Sequence, residues 1–255
     1  MLKKLLKYDL RAAFRIFLPA WLGVLGLTGL QCLLYSFGTD GPLVIVTGLS
    51  TVPYVLGLFV MMVLPSIFFA LRFYRGILGR EGYLMFSLPT QPWKLLTSKL
   101  LAAVIVTSVN FIVVMGSTVG WIVCMVGTYD IGIFLQYAFA EFNGYGTLLL
   151  IPVLMLLGCV SSNLMFYLAC CLGHLFRSRR GAWAFLMYIA LSTVMSVVSS
   201  IVQSVQFLFT EDLLYQSYDS MLPRTLGATL PLMLGASVLC FFFCERILHN
   251  KLNLE

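Results

Sequence analysis

The sequence predicts an all-α polytopic membrane protein, six transmembrane helices preceded by a short amphipathic helix, forming one transmembrane domain over residues 1–255. Three observations carry that expectation. The chain is 60% apolar and 10% charged, against roughly 45–50% and roughly 25% in a soluble domain, so its 16 Lys and Arg and 10 Asp and Glu are too few to clothe a soluble core of this size. Apolar runs at 16–37, 44–71, 100–126, 147–172, 182–209 and 226–244 contain no Asp, Glu, Lys, Arg or His, and each can cross about 30 Å of hydrocarbon at about 1.5 Å per residue. Finally, the cations alternate between the connecting segments, as membrane topology requires.

The first element is a helix over residues 1–15. Leu2, Leu5, Leu6, Leu10, Ala13 and Phe14 recur at helical spacing, and Lys3, Lys4, Lys7, Arg11 and Arg15 fill the other side. That pattern suits a basic amphipathic helix lying in the plane of the inner leaflet, with anionic headgroups against the cations. A positive flank that only orients the first span is the plainer alternative. The run at 16–37 is long for a signal-peptide core and no Ala-x-Ala site follows it, so it is expected to stay as the first span.

Orientation follows from the charges. Lys3, Lys4, Lys7, Arg11 and Arg15 precede the first span. Arg72, Arg75, Arg80, Lys94 and Lys99 lie between the second and third, Arg177, Arg179 and Arg180 between the fourth and fifth, and Arg246 and Lys251 after the sixth. All share one side, leaving Arg224 opposite, so the positive-inside rule predicts a multi-pass protein of the cell membrane with both termini cytoplasmic. Asp40, Asp130, Glu141, Glu211, Asp212 and Asp219 fall on the outer side. The net charge of +6 is therefore a topology signal, and no nucleic-acid partner is expected.

Within the spans, Pro19, Pro53, Pro65, Pro152 and Pro231 are expected kinks. The seven cysteines all sit in or beside apolar runs with no CxxC pair, which predicts packing residues and no disulfide framework. Polar residues such as Asn110, Asn163 and Gln203 have two uses, lining a pathway or hydrogen bonding between helices, of which the second is commoner. Gly23, Gly26 and Gly29 in the first span, and Gly116 and Gly120 in the third, suit close helix approach. The outer connections 127–146 and 210–225 carry aromatics and acids, which fit an interfacial aromatic belt or, more sharply, an external lid.

The cytoplasmic loop at 72–99 is too apolar for a linker. Glycine at Gly79 can stop a helix leaving the membrane, a short helix can follow over 81–87, and Pro89 ends it. Thr90 then caps a helix with Pro92 in its first turn, running into the third span. Tyr83, Leu84, Phe86 and Leu88 put large apolar groups on the aqueous side, the mark of a contact surface or of a segment lying on the bilayer.

Gly79-Arg80-Glu81-Gly82-Tyr83-Leu84-Met85-Phe86-Ser87-Leu88-Pro89, followed by Thr90, Trp93-Lys94-Leu95-Leu96 and Lys99-Leu100-Leu101-Ala102, resembles the loop between the second and third spans of type-2 ABC exporter permeases. Leu5-Leu6-Lys7-Tyr8-Asp9-Leu10-Arg11 is similar to the lead-in helix of such permeases from Gram-positive bacteria. The motif similarity covers roughly the first hundred residues, and the six-span layout covers the rest; Tyr83 stands where many members have threonine. The resemblance implies a coupling helix that docks on an ATPase subunit, with Arg80, Glu81, Gly82, Tyr83, Leu84, Phe86, Leu88 and Pro89 at the contact. It also implies a second permease copy, identical or paralogous, and a substrate moved outward.

Missing motifs narrow the function. No lysine follows a glycine, so a phosphate-binding GxxxxGK[ST] loop is absent and ATP with its Mg would belong to a separate partner. No cofactor or metal is expected on this chain: His174 and His249 are its two histidines, and no HExxH occurs. Catalysis needs placed acid and base groups, and ion coupling needs ionisable groups inside the spans; the runs above hold none. The expected function is a permease subunit exporting an amphipathic or lipid-like substrate, itself no enzyme. The alternatives are a non-transporting membrane partner of an ABC ATPase with an immunity or sensing role and, further off, an intramembrane enzyme.

Overall fold

The computed structural model describes residues 2–37, 43–78, 92–126, 132, 145–176, 180–210 and 221–250. Six α-helices account for nearly all of them: α1 (Leu2–Ser36), α2 (Leu43–Phe73), α3 (Pro92–Val126), α4 (Tyr145–His174), α5 (Arg180–Thr210) and α6 (Met221–Asn250). A five-residue π-turn, Tyr74–Leu78, continues α2. No strand occurs among the described residues. Each helix contains a stretch long and apolar enough to cross a membrane, as the hydropathy pattern predicts.

The expected boundary after residue 15 is absent. The amphipathic spacing of residues 2–15 runs in phase with the following apolar run, so the chain stays helical from Leu2 through Pro19 to Ser36. The N-terminal residues are thus continuous with α1. The 35 residues of α1 measure about 52 Å, more than about 30 Å of hydrocarbon. Pro53, Pro65, Pro152 and Pro231 likewise lie inside uninterrupted helices.

Two compact units are distinguished, the first formed by Lys3–Ile67 and Ile105–Glu141, the second by Phe68–Val104 and Phe142–Glu255. In the first, hydrogen bonds between side chains knit α1, α2 and α3 together. Asn110 accepts from Trp21 Nε1 at 3.0 Å and donates to the Met61 carbonyl at 2.8 Å, so one buried amide bridges three helices. A turn or two further along, the Thr28 and Ser117 hydroxyls lie 2.8 Å apart, and Tyr54 OH reaches the same serine at 2.9 Å. Gln31 Nε2 donates to Ser50 Oγ at 3.1 Å. These bonds tie helices whose outward faces are largely apolar, where each is worth roughly 0.6 kcal/mol.

One cysteine expectation is corrected here. Cys32 and Cys124 form a disulfide across a sequence separation of 92, their Cα atoms 5.2 Å apart. Two apolar runs place the residues at the same end of α1 and α3, so neighbours alone could not reveal the pairing. Cys159, Cys170, Cys171, Cys240 and Cys244 are free thiols.

In the second unit α4 packs against both α5 and α6. A cluster of Leu164, Leu168 and Cys240 forms its core, with Leu172, Leu191 and Ile247 against it. Ser161 Oγ lies 2.7 Å from Ser237 Oγ, and Cys171 Sγ lies 3.3 Å from Cys244 Sγ. The α4–α5 crossing is close at Gly173, where a Cβ would lie 2.5 Å from the backbone of Ala184.

Candidate functional site at the roots of the 79–91 loop

The loop expected to carry the coupling helix springs from the π-turn and returns into α3. Arg80, Glu81, Gly82, Tyr83, Leu84, Phe86, Leu88 and Pro89 lie outside the described residues. The helices on either side of it are described, and Phe73 at the end of α2 and Lys99 in the second turn of α3 meet the same residue of α4.

At the outgoing root, Phe73 closes α2 with its ring 1% exposed. It stacks on Tyr167 with centroids 4.2 Å apart and planes 10° from parallel. At the returning root, Tyr167 OH donates to the Lys99 carbonyl at 3.3 Å. Tyr167 is as buried as Phe73, so one aromatic side chain fastens the end of α2 and the start of α3 to α4. Aromatic stacking adds roughly 0.5–1.5 kcal/mol beyond area burial.

The π-turn brings its backbone against Lys99. A Cβ on Gly76 would fall 2.9 Å from Lys99 Nζ, so the ammonium lies close against the turn's backbone. Lys99 is 6% exposed, with its long stem covered and its head beside the turn. Leu95, Leu96 and Ser98 are buried next to it, and the Ser98 hydroxyl bonds the Leu95 carbonyl at 2.9 Å, within its own helix. At the start of the turn, the Tyr74 ring lies 6.4 Å from His174 at the end of α4. Single-turn π segments interrupt the regular ladder and recur where helices must yield.

Two further ring stacks join α4 and the residues just after it to α5. Phe166 stacks on Tyr188 at 4.0 Å, and Phe176 on Trp183 at 4.2 Å. Tyr167 thus joins the end of α2 and the second turn of α3 to α4, and α4 is held to α5 by stacked rings and by the Gly173 crossing. Among the described residues no group of three or more His, Cys, Asp or Glu could hold a metal ion.

The other sequence-predicted positions separate by role. Asn110 is a helix bridge, and Asn163 is buried and donates to the Cys159 carbonyl of its own helix at 2.7 Å. Gln203 is exposed on α5, whose Ser192, Thr193, Ser199, Ser200 and Ser204 bond back to carbonyls three or four residues earlier. Those hydroxyls satisfy themselves within α5 and glue no second helix. Lys7, Arg11 and Arg15 are exposed on α1, and Lys3 and Lys4 lie in its first turn. Gly120 approaches Thr28, a Cβ there lying 3.7 Å from its methyl, whereas Gly23, Gly26, Gly29 and Gly116 face open space. Sequence reasoning missed Phe73, Tyr167 and Gly173, whose only signal was an aromatic or a glycine near a span end.

Compared with models of protein families, with curated proteins and with solved structures, the chain matches none.

Proposed function

We propose that this chain is the permease subunit of an ATP-driven ABC exporter, pairing with a second permease copy and with separate ATPase subunits. The observation that carries the reading is that Tyr167 of α4 meets both Phe73 and Lys99, in the helices that flank residues 79–91. An ATPase that closes on ATP and pushes residues 81–88 would move both loop roots together, and α4 with them, as a rigid-body transition of packed helices requires. A loop meant only to connect two spans has no need of that fastening.

The sequence resemblance at 79–102 supplies the partner class, and the absence of a phosphate-binding loop assigns ATP and Mg to that partner. The apolar window of α5 is unburied within the chain, which leaves a surface for the second copy. With no ionisable side chain inside the apolar runs, an amphipathic or lipid-like cargo suits the chain better than a small ion. Cytoplasmic termini are favoured by the cations and also by the Cys32–Cys124 disulfide. It lies at the end of α1 remote from Lys7, Arg11 and Arg15, and disulfides persist on the oxidising side of a membrane.

The test is purification of the tagged chain from the membranes of its native cell, as wild type and as Glu81→Ala with Tyr83→Ala. The wild type should bring down an ATPase and its ATP hydrolysis, and the double variant should lose both. Equal recovery and equal hydrolysis would overturn the coupling assignment.

A further inference from the structure

Helix α1 divides lengthwise into two faces. Asp9, Ala13, Phe17, Trp21, Val24, Thr28 and Gln31 are buried, and Trp21, Thr28 and Gln31 among them bond to α2 or α3. On another side Lys7, Arg11 and Arg15 are exposed, and the line continues through exposed Leu18, Leu22 and Leu25. At about 100° per residue, these six positions share an arc of about 80°. Beside and above the leucines, Gly26 and Gly29 have no neighbour within 4 Å of where a Cβ would stand, so the face has an open notch at its apolar end.

Depth follows from length. Residues 16–36 of α1 cover about 30 Å, the thickness of the hydrocarbon. Arg15 then stands at its edge, with Arg11 about 6 Å and Lys7 about 12 Å beyond. Arginine and lysine stems reach along the helix so that the charged ends meet the polar zone. Three like charges a helical turn apart repel one another. The one carboxylate among residues 2–36, Asp9, belongs to the buried side.

We propose that this face of α1 binds an anionic phospholipid, its phosphate between Arg11 and Arg15 with Lys7 behind, and one acyl chain along Leu18, Leu22 and Leu25. Charge and shape select this occupant. An acidic peptide or a nucleic acid would satisfy the cations but not the leucines, which continue at hydrocarbon depth. A zwitterionic lipid would satisfy the leucines and leave the charges uncompensated. The site does not rest on the transport reading, since it uses no residue of the 79–91 loop or its roots.

The experiment reconstitutes the full chain in nanodiscs of equal parts phosphatidylglycerol and phosphatidylcholine with identical acyl chains, and counts by native mass spectrometry the lipids that stay bound. Phosphatidylglycerol should be enriched over the bulk. Lys7→Gln with Arg11→Gln and Arg15→Gln should lower that enrichment by about fivefold or more, fivefold being the share of a single surface cation, while retaining the Cys32–Cys124 disulfide as a check of folding. A control that removes the exposed cations Arg75, Lys94 and Arg246 should keep the enrichment. Excess glycerol phosphate should not displace the lipid. Bound lipid at the bulk ratio, or equal loss in both triple variants, would overturn the site; displacement by glycerol phosphate would overturn the acyl contact along the leucines.

Discussion

Phe73 and Tyr167 lie face to face, 4.2 Å between ring centroids, and the tyrosine hydroxyl is spent on the carbonyl of Lys99. The stack and the hydrogen bond can be separated experimentally. Tyr167→Phe keeps the ring and removes the bond, for an expected loss of about 0.5–1 kcal/mol. Tyr167→Ala removes both and should cost about 3–5 kcal/mol. Unfolding in mixed micelles reads the difference; similar losses for the two variants would show that the ring contributes little to holding α2 on α4.

Asn110 offers a double-mutant cycle. Asn110→Leu leaves the Trp21 indole N–H and the Met61 carbonyl without their side-chain partner, and should cost about 1–2 kcal/mol. Trp21→Phe removes the orphaned donor. Combined with Asn110→Leu, it should cost less than the two single changes summed, and strict additivity of the unfolding free energies would refute the bridge.

Two glycines should respond with opposite signs. At Gly173 a methyl would press on the Ala184 backbone at 2.5 Å, so Gly173→Ala must part α4 from α5 and should destabilise by about 1–3 kcal/mol. Gly116 has open space, and Gly116→Ala should gain up to about 1 kcal/mol of helix propensity. Thermal denaturation of the two variants side by side is the check, and a stabilised Gly173→Ala would contradict the close crossing.

For the disulfide, Cys32 and Cys124 should resist a maleimide until a reductant is added, whereas both label at once if they are thiols. Cys32→Ser with Cys124→Ser should lower stability by about 2–4 kcal/mol. Treating intact cells with a membrane-impermeant phosphine also tests orientation. Reduction from outside agrees with cytoplasmic termini, and reduction only in inverted vesicles would reverse them.

Hydropathy made the six helices legible because crossing hydrocarbon imposes one requirement on every residue of a long run. Contacts between runs impose no such periodic mark. The Cys32–Cys124 bond joins positions 92 apart, and its trace in the sequence was only that both residues close their runs on the cation-poor side. Asn110 was legible as a polar residue among apolar ones, yet which partners it bridges depends on helix rotation, which local spacing does not set. Phe73 and Tyr167 looked like two more aromatics near span ends. The division at residue 15 was expected from the change in charge, but backbone hydrogen bonding is indifferent to that change and α1 runs through it.

The covalent link between α1 and α3 also orders the birth of the molecule. Cys32 leaves the ribosome 92 residues ahead of its partner, after which α2 and the whole 79–91 segment must be synthesised before the bond can close. During that interval the α1–α2 hairpin has the Gln31–Ser50 hydrogen bond and its packing but no covalent link to α3, with a lone thiol open to mispairing. A nascent chain halted before residue 124 should carry Cys32 reduced or joined to a foreign thiol, so the covalent tie of α1 to α3 can form only late in synthesis.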